Sequence, residues 1–328
     1  MPKDNTMLLK NSPFEITNYA PVLIPTLNRY SHLKNCICSL SSCIHAEDTD
    51  LFIALDYPFK IEHWEGYNKI VKFIEKIEGF RRVIIIKRNQ NFGARENIRD
   101  ARSMIFENYD RLIISEDDNI FSKDFLRFVN IGLEKYKHRH DIFAINGYNY
   151  PIEVPADYKD DVYLWQGMSA WGFGIWKEKW EELESNDEIV LSNIKKFLKS
   201  YRKILNYNRV ANHYVRSLLW MLRLQKVHGD GHMCFHQFTN NMYSIFPTIS
   251  RVRNLGHDGS GLHCNEKKKD LFSDQPIYDK KDNIYNLPIS IKPNDTMNKI
   301  LYKHFKKSLI SQFVILVLIV FTFLKLKE

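Results

Sequence analysis

At 328 residues, with 44% hydrophobic and 26% charged content, the chain is long enough to bury a substantial core and too apolar for a disordered polymer. A formal net charge of +8 favours anionic partners, among them nucleotide diphosphates, lipid phosphates and membrane headgroups. No zinc-finger, basic-zipper or aromatic RNA-binding signature accompanies that charge, which sets nucleic acid aside. Five cysteines (Cys36, Cys38, Cys43, Cys234 and Cys264) with no pair of C-x-x-C motifs argue against a disulfide framework or a structural zinc, and fit a reducing compartment.

The N-terminus, MPKDNTMLLKNSPFE, is too polar for the apolar core of a secretory signal, so the domain is expected to stay in the cytosol. Short apolar runs then alternate with segments of helical period up to residue 150, the pattern of a largely parallel sheet covered by helices. Strands are predicted at Pro21 to Ile24, Leu51 to Leu55, Val83 to Lys87, Arg111 to Ser115 and Ile142 to Ile145. The clearest helix carries Trp64, Tyr67, Ile70, Val71, Ile74 and Ile77 on one face, with Gly79 as its stop. Ser122 is expected to cap a further helix whose inner face holds Phe125, Phe128 and Val129.

Beyond Tyr150 the alternation fades into a half rich in aromatics and glycines, with helices predicted at Asn193 to Tyr201 and His213 to Gln225. Residues 266–307 turn to Lys, Asp, Asn and Pro and read as an extension or linker. From Leu309 to Leu324 the run LISQFVILVLIVFTFL carries no charge and is bracketed by Lys303, Lys306, Lys307, Lys325 and Lys327. As a helix it would extend about 24 Å, short of the roughly 30 Å hydrocarbon core, so residues 308–328 are read as a membrane-associating tail; a buried helix is the alternative.

The densest chemistry lies in Arg111-Leu-Ile-Ile-Ser-Glu-Asp-Asp-Asn119, an apolar strand running straight into three acids. Ligands of open α/β sheets bind beyond the carboxyl ends of the strands, and hard oxygen ligands there suit Mg²⁺ or Mn²⁺ bridging a diphosphate. An acidic turn capping the next helix is the plain alternative. Three other strand ends also finish in polar groups: Pro25-Thr26-Leu-Asn28-Arg29, Asp56, and Lys87-Arg88 through Gly93 and Arg95 to Asn97. A carboxylate such as Asp56 can accept from a base N–H, Arg29, Arg88 and Arg95 can meet phosphate, and Gly93 allows close backbone approach.

With these residues in hand, the sequence from roughly Ala20 to Cys264 resembles glycosyltransferases of the GT-A fold, in particular the N-acetylglucosaminyltransferase I group and its bacterial relatives. The resemblance implies an α/β fold with a mixed, mostly parallel sheet flanked by helices, here followed by a hydrophobic tail helix. It makes residues 1–150 the nucleotide-sugar half and 151–265 the acceptor half of one domain. It further implies that Asp118 contacts a divalent metal, that Glu116 and Asp117 contact the nucleotide sugar, and that the first-strand loop with Asp56 holds base and ribose.

Ser169-Ala-Trp171-Gly172-Phe-Gly174-Ile-Trp176-Lys-Glu-Lys-Trp180 is similar to the family's glycine-rich acceptor-side turn before a helix, although tight turns and core packing would also explain its glycines and tryptophans. Asn254-Leu-Gly-His257-Asp258-Gly-Ser-Gly-Leu-His263-Cys264 is similar to a loop that follows the last core strand in bacterial relatives; its glycines would let it close over a bound donor, and His257 or His263 is either an imidazole for metal or diphosphate or a plain surface group. The catalytic base departs from the family pattern. His228-Gly-Asp230-Gly-His232 supplies Asp230 as the candidate, while Gly229 and Gly231 argue against a helix that would align His228, His232 and His236 on a zinc.

The function expected is transfer of a sugar from a nucleoside diphosphate donor, a UDP-sugar for preference, to a saccharide or lipid-linked acceptor at the cytoplasmic face of a membrane. A nucleotidyltransferase would normally show a glycine-rich phosphate loop where this chain has Pro25 to Arg29; a non-catalytic, membrane-anchored carbohydrate-binding protein is the other alternative.

Overall fold

The computed structural model describes residues 18–183, 185–259, 272–279, 285–306 and 317. Three parallel strands come first: β1 (Val22–Thr26), then helix α1 (Tyr30–Ser41), β2 (Asp50–Leu55), α2 (His63–Ile74) and β3 (Arg82–Lys87). Their crossover helices are amphipathic, and α2 turns Tyr67, Ile70 and Ile74 inward as its period requires. Gly79, where the chain turns toward β3, has φ +89, a conformation that suits glycine.

Helix α3 (Ala94–Phe106) leads to β4 (Arg111–Ile114), which lies parallel to β1, and to the short β5 (Asn119–Phe121). Helix α4 (Phe125–Tyr136) follows with Phe125, Phe128 and Val129 all buried. Its N-cap is Asp124 and not Ser122; the Ser122 hydroxyl donates to Asp124, which is pinned in turn by Arg251 and Tyr285.

The remaining strands are β6 (Ile142–Asn146), β7 (Val162–Trp165) and β8 (Phe173–Trp176), then, after five helices, β9 (Tyr243–Pro247) and β10 (Val252–Asn254). The helices are α5 (Lys177–Leu183), α6 (Asp187–Phe197), α7 (Tyr201–Val210), α8 (Tyr214–Leu224) and α9 (Gly229–Thr239). The helix predicted at Asn193 to Tyr201 is in fact two, because Asn186 caps α6 through the Glu188 N–H and Ser200 caps α7 through the Lys203 N–H. The expectation that Gly229 and Gly231 would prevent a helix also fails. Both lie in the first turn of α9, where a Cβ on Gly231 would stand 2.6 Å from Ser217 Oγ, so this glycine is what lets α9 close on α8.

The main sheet has the order β3-β2-β1-β4-β8-β6-β9-β7; β8 and β7 run antiparallel to their neighbours and the other six strands share one direction. This is the mixed, mostly parallel sheet flanked by helices that was expected. β10 pairs with β5 in a separate two-stranded ribbon.

The extension ends in α10 (Asp295–Phe305), which buries Met297 and Leu301 and packs on α7. Among the described residues no helix is long and apolar enough to cross a membrane. The apolar run from Leu309 to Leu324 lies outside the described residues apart from Val317, and so does His263.

Candidate functional site

Pairing between β1 and β4 stops at Leu23 and Ile114, although β1 continues to Thr26. Pro21 and Leu23 turn their carbonyls to β4 and Thr26 turns its own to β2, so Pro25 has its missing N–H on the β4 side, where no ladder bond is lost as the strands part. The crevice so opened, at the carboxyl ends of the parallel strands, receives the acids that follow β4.

Asp117 and Asp118 are both buried there. Asp117 accepts from Thr26 Oγ1 at 2.8 Å and from the Arg29 guanidinium, which also reaches Asp118 Oδ2 at 2.8 Å. Burial and the neighbouring Asp118 raise the Asp117 carboxyl, and Arg29 only partly offsets this. Burial acts to lower the Arg29 pKa, but Asp117 and Asp118 outweigh it and raise it. Asn28, beside Arg29, is gripped from behind: a Cβ on Gly66 of α2 would lie 1.9 Å from its carbonyl oxygen.

Glu116 stands half-buried at the mouth of the crevice. Desolvation first, then repulsion from Asp118, Asp230 and Asp117, pushes its pKa up to about 8. The charge of Asp230 is thus felt at Glu116, although Asp230 comes from the first turn of α9, far along the chain. It keeps contact with solvent, and the protein crowded around it raises its carboxyl by desolvation. Of the four acids, Asp117 and Asp118 have Arg29 as their ion-pair partner among the described residues.

One residue of this floor was not singled out from the sequence. Asn254, at the end of β10, donates through Nδ2 to Asp118 Oδ1 at 2.7 Å and to Asn119 Oδ1 at 2.9 Å, and accepts from the Gly256 N–H. The Leu255 N–H also bonds the Asp118 carbonyl, and a Cβ on Gly256 would lie 2.1 Å from Asp118 Oδ2, so the segment after β10 lies directly on the acid. The only sequence hint was that Asn254 opens the glycine-rich loop.

Other predicted site residues are turned to structural work. Asp56 accepts from the N–H groups of Tyr57, Phe92 and Gly93 and from Asn91 Nδ2, so both oxygens organise the loop before α3. Gly93 has φ +75 at the α3 N-cap, and nothing stands within 4 Å of where its Cβ would be. Arg88 is held by Asn97 at 2.8 Å and Asp100 at 2.6 Å, and Asn97 itself donates to the Ala54 carbonyl. Arg95 pairs with Asp187.

Gly174 packs so tightly that a Cβ would lie 2.6 Å from Val129, and Gly172, at φ +77, bonds the Gly147 N–H and faces Phe125. Trp171 packs edge-on to Tyr148 and His257. His257 stacks on Phe272 with ring centroids 4.7 Å apart, and Asp258 pairs with His32 at 3.2 Å. His232, with its pKa lowered to about 4 by burial and by His236, stands near the Arg95–Asp187 pair. Among the described residues no three His, Cys, Asp or Glu side chains could by themselves hold a metal.

No family model matches the chain, and no curated protein matches it. Among solved structures, S. aureus TarS is 10% identical, with a TM-score of 0.31 over 46% of this chain and 25% of that one. TarS 1–349 in complex with UDP-GlcNAc is 13% identical, with a TM-score of 0.32 over 48% of this chain and 45% of that one. The mannosyltransferase PcManGT from Pyrobaculum calidifontis, in complex with GDP-Man and Mn²⁺, is 10% identical, with a TM-score of 0.36 over 51% of this chain and 47% of that one. The chain thus spans from a quarter to just under half the length of these structures. TM-scores this low do not place it in a family.

Proposed function

We propose that this chain is a glycosyltransferase that moves a sugar from a nucleoside diphosphate carrier, a UDP-sugar for preference, to a saccharide or lipid-linked acceptor, with inversion, in the synthesis of a surface polysaccharide or glycan. The observation that carries the reading is the geometry where β1 and β4 part: Thr26, Arg29 and Asn254 hold Asp117 and Asp118 there, and the charge of Asp230 is felt at Glu116. A carboxylate with a raised pKa suits a general base, and the adjoining crevice offers a guanidinium to a diphosphate.

In this mechanism Asp230 takes the proton of the acceptor hydroxyl as its oxygen attacks the anomeric carbon from the face opposite the diphosphate. The bond from that carbon to the diphosphate oxygen breaks, and the electron pair leaves with the diphosphate. Arg29 exchanges its hold on the acids for the departing phosphates.

A divalent ion, Mn²⁺ or Mg²⁺, fits the donor set if the ligand completes it. Mg²⁺ sites commonly use one or two carboxylates together with substrate phosphates and water. Asp118, aided by Glu116, would hold the ion once Arg29, which pairs with Asp118 Oδ2, turns to the phosphates. When bound, the ion would stabilise the negative charge of the leaving diphosphate.

The membrane partner in this reading is reached through the apolar tail, which keeps the domain at the cytoplasmic surface. Photolabelling from within the bilayer should then mark residues 309–324, and labelling confined to other segments would remove the anchor. The donor reading is tested by calorimetric titration with UDP-, GDP-, CMP- and dTDP-sugars, first with Mn²⁺ and then with chelator. Metal-dependent binding of one donor supports it; no binding to any member of the panel speaks against it.

A further inference from the structure

The positive charge of this chain is concentrated. From Ile189 to Gly229 there are nine lysines and arginines and no acid, more than the formal excess of +8 carried by the whole chain. All nine side chains, on α6, α7 and α8 and their connections, are exposed, and none forms an ion pair among the described residues. The helices pack on one another through their apolar faces: α6 and α7 each lie against α8. Apart from Glu188 in the first turn of α6, the charges on their outward faces are therefore cations.

The arrangement follows the helical period. On α7, Arg202, Asn206 and Arg209 fall on one outer stripe opposite the buried Ile204 and Tyr207. On α8 the outer stripe is Arg216, Trp220, Arg223 and Leu224, opposite Val215, Leu218 and Met221. Trp220 is 49% exposed, Leu224 47% and Tyr201 51%. The Arg223 guanidinium lies 5.7 Å from the Trp220 ring, so charge and aromatic face are presented together. A merely soluble surface has no need of large apolar groups at the centre of a basic stripe; an interfacial one does, because the rings enter the headgroup layer while the cations meet lipid phosphates.

We infer that the outer face of α6, α7 and α8 is a docking surface for an anionic lipid membrane, separate from the apolar tail and from the donor crevice. Two further features favour a membrane as the occupant. Helix α10 packs on α7 and exposes Lys299, Lys303 and Lys306. From Phe305 at its end, the chain reaches Leu309, where the uncharged run begins, within about 14 Å. Two attachments, one electrostatic and one apolar, give stable association where one gives marginal binding. Because α8 also supports α9, docking by this face would hold the helix that carries Asp230 close to the headgroups.

The test is co-sedimentation of the full chain with vesicles of phosphatidylcholine alone or mixed with phosphatidylglycerol. Wild type should bind the anionic vesicles more tightly, and added salt should erase the difference. The combined variant Arg202→Gln, Arg216→Gln and Arg223→Gln should lose roughly tenfold or more of the preference for anionic vesicles. It should keep the donor titration and thermal stability of wild type. Neutralising Lys72, Lys76 and Lys123, exposed elsewhere, should leave the preference intact and separates this face from net charge. Trp220→Ala should weaken binding even at fixed charge.

Equal loss in the two triple variants, or an undiminished preference in the first, would overturn the inference. So would displacement of the protein from anionic vesicles by single-stranded RNA at equal phosphate concentration, which would make nucleic acid the occupant. None of these outcomes depends on whether a sugar donor binds.

Discussion

The two ends of the parallel strands treat carboxylates in opposite ways. At the amino ends, Asp50 is completely buried and surrounded by compensation: Arg81 Nε and Nη2 each donate at 2.7 Å, and Arg82 and the Tyr109 hydroxyl donate as well. At the carboxyl ends, Glu116, Asp117 and Asp118 follow one another, Arg29 pairs with two of them, and the charge of Asp230 is felt at Glu116. Burial alone would raise the Asp50 carboxyl, but hydrogen bonds from Arg81, Arg82 and Tyr109 hold it well below the ordinary carboxylate range. At the carboxyl ends burial and repulsion raise Glu116 and Asp117, and burial alone raises Asp230. Charge that is answered within the protein holds a fold together, whereas charge left unanswered at a strand end is available to a ligand.

The contrast breaks most decisively at Asp230. Asp230→Asn should slow sugar transfer, read as donor turnover onto acceptor or water, by roughly 10²- to 10⁴-fold while calorimetry shows donor binding unchanged. Turnover at the wild-type rate would take the base away from this residue. Asp118→Ala comes next: metal-dependent donor affinity should fall on the order of 100-fold. Its thermal midpoint should fall only modestly, because Arg29 and Asn254 lose one acceptor and each keeps another, Asp117 and Asn119. A collapse of the fold would make Asp118 structural.

Asp50→Asn should do the reverse, costing on the order of 2 kcal/mol of stability at neutral pH with donor affinity intact, measured by urea unfolding. The sign of its pH dependence follows from the depressed pKa. The stabilisation is present above the unfolded-state value of about 3.9 and is lost as pH falls through the lower folded value, so mutant and wild type should converge in acid. A gap that widens on acidification would contradict the assignment. The smallest effect is expected at Arg95, half-exposed and paired with Asp187. Arg95→Ala should change stability by less than about 1 kcal/mol and leave donor titration unaltered; a large loss of donor affinity would return Arg95 to the crevice.

The strands were legible because each is a short Ile-, Val- or Leu-rich run bounded by polar turns, and every predicted one lies on an observed strand. The acids after β4 were legible for a related reason: nothing apolar separates them from the strand that aims them. What could not be read was where side chains spend their hydrogen bonds. Arg88, Arg95 and Asp56 have the composition of a phosphate and base site, yet each is drawn to a partner that only tertiary structure supplies: Asn97 and Asp100, Asp187, and the N–H groups of Tyr57, Phe92 and Gly93.

Helix α9 was hidden by its glycines, since propensity is local and the tight seat of Gly231 against Ser217 is not. Asn254 was hidden because its importance lies in reaching Asp118 from another part of the chain. The basic face of α6 to α8 was visible throughout as a run without acids, but only the packing of those helices showed that all of its cations point outward.

Gly66 gives the molecule an unadvertised point of genetic control. It touches no acid, yet any side chain there must displace the Asn28 carbonyl and with it the turn that carries Arg29. A screen for hypomorphic alleles would accordingly find some at a helix position that no map of ligand contacts would include. Such alleles would grade with side-chain bulk, alanine first, because the lesion is a displacement of backbone and not the removal of a functional group.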